Sequence, residues 1–321
     1  MDAGQHPQRR ADAVVLLRPH HPRICQGYLE RAGARDHAAD VADAGRAARS
    51  DPLTHHLFDE ATRVTAGDSC WRGRTSDDYW AFVGPFGGAT AATILRALID
   101  HPQRSGDPLS VTVNFCAPIA PGDFDLDVRL VKANRSTQHW CVELMQGGTE
   151  VATLATAVFA ERRPSWSHQP AELPQAAPFD QIRPFPKIKA SWANQYDFRF
   201  VEGDPDFSGA RKEVPASAFS KCWIGDRVPR TIDVLSLMAM SDAFFGRIFH
   251  ARGELVPFGT VSLTTYFHAD AADLAAEDIS RVLATADANI FHKSYGDQTG
   301  KLWSPGGRLL ATTTQIAYFK A

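Results

Sequence analysis

The chain reads as an α+β protein of two tandem units, each a long central helix wrapped by an antiparallel sheet. Two observations predict this. The same order of elements occurs twice: short strands, one long apolar helix, then a series of strands. Two strand segments also match between the copies. Ser110-Val-Thr-Val-Asn-Phe115 lies over Ser262-Leu-Thr-Thr-Tyr-Phe267, and Gly148-Thr-Glu-Val-Ala-Thr153 lies over Gly307-Arg-Leu-Leu-Ala-Thr312. The offsets, 152 and 159 residues, differ by one loop's worth. They support duplication of a unit of roughly 110–130 residues.

The first copy begins with short strands at Cys70–Arg74 and Tyr79–Val83. Its helix, Pro85–Ile99, is entered through Gly87-Gly88. Ser110–Phe115 is a strand. Asp123–Leu130 alternates polar and apolar residues without a break, the mark of a half-buried strand. Thr137–Gln146 and Glu150–Ala160 follow as a hairpin turned at Gly147-Gly148. The second copy has short strands at Tyr196–Val201 and Lys221–Ile224. A helix of about four turns is expected over Val234–Phe249. Strands follow at Thr260–Phe267, Ile279–Ala286, Ala288–Gly296 and Gly307–Phe319.

Between the copies, Pro164, Pro170, Pro174, Pro178, Pro184 and Pro186 crowd one stretch. Proline at that density blocks helix and sheet interiors and reads as a linker. Residues 1–52 are rich in Ala, Arg, Asp and His and carry one short apolar run, Val14–Leu17. The expected organisation is a poorly structured extension (1–52), a first domain (53–162), a proline-rich linker (163–187) and a second domain (188–321).

Composition narrows the function. Hydrophobic residues make up 44% of 321 residues, enough for a sizeable core, and the net charge is −3. That balance disfavours nucleic acid or an anionic membrane as the main partner. No apolar run reaches the roughly 18 residues of a membrane span. The five cysteines are scattered with no Cys-x-x-Cys, so a zinc site is not expected, and free thiols in a cytoplasmic protein are the simpler reading. His139, His268 and His292 fall singly on strands, with no ligand spacing for a metal. Nucleophile-elbow, Walker and dinucleotide-binding glycine motifs are absent, and no cofactor is expected.

The informative residue is Asp242, an acid inside the apolar segment Val234–Phe249. A carboxylate there is costly unless something hydrogen-bonds to it. Thr260 and Gln315, on two later strands, are candidate partners, and an acid, a hydroxyl and an amide can together hold a water. The plainer readings are a partly exposed Asp242 paired with Arg247 or a nearby Lys, strand residues facing solvent at Thr260 and Gln315, and an ordinary helix start at Gly87-Gly88. Arg129, Lys132 and Arg135 read either as contacts for a phosphate-bearing ligand or as a solvated strand face.

Two stretches carry a family resemblance. The first is Gly84-Pro-Phe-Gly-Gly-Ala89, and the second is the set Ser241-Asp-Ala-Phe-Phe245, Gly259-Thr-Val-Ser-Leu-Thr-Thr-Tyr-Phe-His268 and Ala311-Thr-Thr-Thr-Gln315. With the duplicated helix and meander, they make residues 60–321 resemble the double hot-dog acyl-CoA thioesterases of the thioesterase II type. The resemblance implies two tandem hot-dog domains and an enzyme of fatty acid metabolism that hydrolyses acyl-CoA. It implies that Asp242, Thr260 and Gln315 orient the attacking water, and that substrate approaches over Gly87 and Gly88. Ser262-Leu263 stand where the family often has a charged pair, which bears on acyl specificity. It also implies a possible homo-oligomer. Two other classes stay open: an acyl-CoA-binding hot-dog protein without hydrolysis, and a hot-dog dehydratase or hydratase. The latter usually needs a His working with an acid, and the second helix has none before Phe249.

Overall fold

The computed structural model describes residues 56–148, 150–205, 207 and 217–320, so the predicted extension over 1–52 lies outside the described residues. The first half contains α1 (Leu57–Ala61), β1 (Val64–Ala66), β2 (Trp71–Arg74), α2 (Gly87–Ile99), β3 (Asp107–Phe115), β4 (Asp123–Ala133), β5 (Thr137–Met145) and β6 (Val151–Ala160). The second contains β7 (Tyr196–Glu202), β8 (Ser220–Asp226), α3 (Val234–Met240), α4 (Arg247–Arg252), β9 (Phe258–Phe267), α5 (Ala271–Glu277), β10 (Arg281–Asp287), β11 (Phe291–His292), β12 (Tyr295–Trp303) and β13 (Leu309–Phe319).

The strands form one antiparallel sheet in the order β1-β2-β4-β5-β6-β3-β9-β13-β12-β10-β8-β7, with β11 pairing β12 to one side. The order is symmetric about the β3–β9 junction. Six strands lie on each side, and each has a counterpart in the other half. Register makes the symmetry exact to the residue. Ser110 pairs Tyr266, Thr112 pairs Thr264 and Asn114 pairs Ser262, so a pseudo-twofold axis passes between Thr112 and Thr264. Those two threonines are 152 residues apart and their hydroxyls meet at 3.0 Å. An antiparallel pairing of equivalent strands is the isologous contact of a twofold dimer, made here within one chain. Tandem hot-dog domains are the resulting fold.

The two helical layers sit on one face of this sheet and close the core between them. α2 buries Ala91, Ala92, Ile94, Leu95, Ala97 and Leu98, and α3 buries every residue from Val234 to Met240. A helix buried all round is what its unbroken apolar sequence demands. α3 starts where Asp233 accepts a 2.8 Å bond from the Ser236 N–H. The proline-rich stretch also packs. Leu173, Phe179 and Ile182 lie against Trp223, Leu283 and Trp303 on the outer side of the second half-sheet, and Trp223 Nε1 donates to the Ala177 carbonyl at 3.0 Å.

Four expectations need correction. Tyr79–Val83 is not a strand: Asp77–Tyr79 is a 3-10 turn, and only an isolated bridge joins Trp80 to Pro85. Ala288–Gly296 is not one strand: it holds the two-residue β11, a turn at 293–294 and the first residues of β12, which runs Tyr295–Trp303. The 159-residue offset slips by one: Val158 pairs Ser110 and Ile316 pairs Ser262, so these strands correspond at 158 residues. Finally, Val234–Phe249 is two helices. The α-helical ladder stops at Met240, and Asp242 and Ala243 N–H bond to the carbonyls of Ala239 and Met240, three residues back. The chain then extends through Gly246 (φ −49°, ψ 125°) before α4 begins. Phe245 leaves the helical path to pack between Phe185, Phe198, Phe200 and Phe207, with ring centroids 5.3–6.1 Å away. The freed Phe245 carbonyl accepts bonds from Arg247 Nε and Nη2. Burial of a large aromatic and a charge-assisted bond together outweigh the few backbone bonds lost.

Candidate active site

Asp242 therefore occupies the turn just after α3 rather than mid-helix. It faces the N-terminus of α2 on one side and the inner face of β9 and β13 on the other. Asp242 is 8% exposed and Gln315 is 5% exposed. Gln315 Nε2 donates to Asp242 Oδ1 at 2.9 Å and to the Ser241 carbonyl at 3.3 Å. The Gly88 backbone N–H and the Thr260 hydroxyl lie close enough to favour the charged carboxylate, while the direct hydrogen bond to it comes from Gln315. Asp242 and Gln315 thus meet directly, and Thr260 lies beside them.

A β-bulge brings Thr260 there. On β9, Leu263, Thr265 and Phe267 are buried and alternate with outward neighbours. Strict alternation would place Val261 inward and Thr260 outward. Instead the register with β13 shifts: Ser262 pairs Ile316 but Thr260 pairs Ala317, leaving Val261 as the extra residue. Directly paired residues share a face, so Thr260 turns inward with Ala317 while Val261 is 39% exposed. Gln315 pairs Leu263 and so faces inward too.

Gly87 and Gly88 form the seam between α2 and this site. A Cβ on Gly87 would stand 2.6 Å from Asp242 Oδ2 and 3.0 Å from the Phe115 ring. A Cβ on Gly88 would meet the Ala239 carbonyl at 2.4 Å. The glycines let the second helix approach until the carboxylate reaches the positive end of α2. Their sequence signal was the paired glycine at a helix start. Phe115 and the Ser241 carbonyl gave no signal beyond lying in the right segments.

Burial raises the Asp242 pKa to about 7, against Gln315, Gly88 and Thr260, which favour the charged form. A carboxyl poised near neutrality can accept a proton from water at ordinary pH. The rival pairing with Arg247 does not exist: that guanidinium bonds to Phe245, Gln298, Ala218 and Ser220. Arg129, Lys132 and Arg135 are exposed at β4 and the turn after it. Among the described residues no cluster of three His, Cys, Asp or Glu side chains stands ready for a metal, and no helix is long and apolar enough to cross a membrane.

Tandem hot-dog domains with a single acid-amide-hydroxyl site define a class of protein, and the comparisons narrow it. The model of the acyl-CoA thioesterase N-terminal domain matches residues 76–160, and that of the acyl-CoA thioesterase C-terminal domain matches residues 168–319. A conserved hot-dog protein of unknown function from Alicyclobacillus acidocaldarius is 39% identical, with 84% of this chain and 99% of that one covered at a TM-score of 0.78. The acyl-CoA thioesterase II TesB2 of Mycobacterium marinum is 20% identical, with 82% and 98% covered at a TM-score of 0.65. The tesB protein of Mycobacterium avium subs paratuberculosis is 17% identical, with the same shares covered at 0.64. The two mycobacterial structures speak for the fold alone. No curated protein matches the chain. The chain belongs to the acyl-CoA thioesterase family.

Proposed function

We propose that this protein hydrolyses acyl-CoA to a free carboxylic acid and coenzyme A, using a water held by Asp242, Thr260 and Gln315. The observation that carries the reading is the buried Asp242 carboxylate, bonded at 2.9 Å by Gln315 and poised near neutral pH. In this mechanism Asp242 accepts a proton from the water as the water oxygen attacks the thioester carbonyl carbon. The C–S bond then breaks, and the proton passes to the departing sulfur. Gln315 and Thr260 fix the carboxylate and the water. Gly87 and Gly88 keep side chains away from the α2 N-terminus, where the substrate carbonyl approaches and the helix end favours developing negative charge.

The boundaries follow the same reading. Residues 53–162 and 188–321 are read as the two domains and 163–187 as the join; the β3–β9 junction supports two halves, while the C-terminal domain match begins at 168, inside the join. The free thiols of Cys116, Cys141 and Cys222 support a reducing, cytoplasmic setting.

Thiol release from a panel of acyl-CoA esters tests the proposal, with wild type set against Asp242→Asn at equal folded concentration. Hydrolysis that collapses in the variant supports it. A wild type that binds acyl-CoA but releases no thiol would make the protein a binding module instead.

A further inference from the structure

The outer face of the sheet, opposite the helices, changes character across its width. The chain is 22% charged, and β4 alone carries Asp123, Asp125, Asp127, Arg129 and Lys132. The central strands β6, β3, β9 and β13 together carry one charged residue, Asp107 at the start of β3. Strand pairing lays their outward residues in three rows. The middle row is Thr156, Thr112, Thr264 and Thr314. The row on one side is Val158, Ser110, Tyr266 and Thr312. The row on the other is Leu154, Asn114, Ser262 and Ile316. Tyr266 is 48% exposed and Ile316 44%. Tyr318, next outward on β13, meets Tyr295 with ring centroids 5.8 Å apart, and both rings are exposed.

Elsewhere on this face the chain covers its own large apolar side chains. Trp223, Leu283 and Trp303 lie beneath Leu173, Phe179 and Ile182 of the proline-rich stretch. Among the described residues, Tyr266, Ile316 and Tyr318 have no such cover. An uncharged patch bearing tyrosines, with charged strands on its flanks, has the make-up of an interface core and its rim.

Area and charge point to a second copy of this chain as the occupant. Four strands of about ten residues, spaced about 4.8 Å apart, make a band of roughly 600 Å², and the flanking β5 and β12 raise it to about 900 Å². A standard interface takes about 800 Å² from each partner. The flanks are complementary as well. On β12, Lys301 extends the row of Thr312 and Asp297 extends that of Ile316. On β5, His139 extends the row of Val158 and Glu143 that of Leu154. A twofold axis running across the strands, along the threonine row, lays each outer row over the other. Lys301 then faces Asp297 of the partner subunit, and Glu143 faces His139 of the partner subunit. An axis parallel to the strands would instead set Glu143 against Asp297 of the partner subunit. We propose that β6, β3, β9 and β13 form the face through which two copies pack sheet on sheet, about 10 Å apart, around a twofold axis along the threonine row. The inference stands independently of the thioesterase reading.

Sedimentation velocity of the full chain over a micromolar concentration series tests it. Wild type should sediment at twice the chain mass of 35.2 kDa. Thr314→Lys sets two like charges against each other at the twofold axis, and Tyr266→Lys puts a charge into the same core. Each should weaken dimerisation by at least about 100-fold and leave a monomer. Val131→Lys adds the same charge at an exposed position on β4, away from the band, and should keep the dimer. Circular dichroism checks that each variant keeps the wild-type fold. Where Tyr266→Lys fails to fold, Thr314→Lys decides, because Thr314 is exposed in the single chain. A wild type that stays monomeric throughout the series, or a dimer that survives Thr314→Lys, overturns the proposal.

Discussion

The two halves of the molecule share a scaffold and differ in what they present at equivalent points. Each contributes six strands, and each carries the same bulge: Leu109 is skipped between Pro108 and Ser110 on β3, as Val261 is between Thr260 and Ser262 on β9. The pairings identify the counterparts. Gln315 pairs Leu263, whose equivalent Val111 pairs Ala157; Thr260 pairs Ala317, where Pro108 pairs Phe159. Carrying the 152-residue offset of β3 and β9 into the helices, whose starts Gly87 and Val234 stand 147 residues apart, would set Asp242 level with Thr90. So Asp242, Thr260 and Gln315 in the second half correspond to Thr90, Pro108 and Ala157 in the first. The second half has an acid, a hydroxyl and an amide where the first has no ionisable group. The helices differ in the same way. α2 runs unbroken over thirteen residues, whereas its counterpart breaks at Asp242 and resumes at Arg247. A duplicated fold thus supplies position, and a few side chains plus one helix break supply chemistry.

The largest test of this asymmetry is Asp242→Asn. It should lower kcat by on the order of 10²–10⁴, the range for removing a general base, while leaving the far-ultraviolet circular dichroism unchanged. Thr90→Ala, at the equivalent point of the first half, should leave kcat within about twofold. Comparable losses from both would break the comparison, because the two halves would then contribute alike.

Protonation sharpens it next. Asp242 must be ionised to accept a proton, so kcat/KM should rise with pH and level off above about 7. The stability effect has the opposite sense. Burial raises this pKa from 3.8, so the folded protein holds a proton that the unfolded chain has lost between roughly pH 4 and 7. Stability contributed by this group is therefore present at low pH and is lost as pH rises through that window. Melting temperatures measured across pH 4–8 should show that decline in wild type and a weaker one in Asp242→Asn. An activity profile flat from pH 5 to 8 would argue against Asp242 as the base.

Gly87→Ala probes the seam between the halves. Its Cβ would fall 2.6 Å from Asp242 Oδ2, so the carboxylate must move, and activity should drop by roughly 10- to 100-fold with modest destabilisation. Gly88→Ala instead strikes the Ala239 backbone and should cost about 1–3 kcal/mol of stability in denaturant titrations. The smallest losses are expected from Gln315→Ala and Thr260→Ala. Each removes one orienting group and leaves the base, for roughly a tenfold fall in kcat with little change in KM. If Thr260→Ala exceeds Asp242→Asn, the assignment of roles within the site is inverted.

The sequence by itself determined the duplication, the α+β class and the residues worth attention. Local composition suffices for these: alternation marks Asp123–Leu130 as a strand, and an acid within Val234–Phe249 stands out because burying a charge is costly. It also brought Gly87-Gly88 forward, since paired glycines at a helix start are a local signal. Only the tertiary structure decided three things. The helix breaks after Met240 because Phe245 finds an aromatic cluster built from distant strands. Thr260 faces inward because a bulge at Val261 reverses the alternation, and a bulge is defined by the partner strand rather than by its own residues. Arg247 stands apart from Asp242, five residues further on and beyond the helix break, and spends its hydrogen bonds on Phe245, Gln298, Ala218 and Ser220. Each of the three depends on contacts between residues far apart in the chain, and periodicity along a single segment carries no record of them.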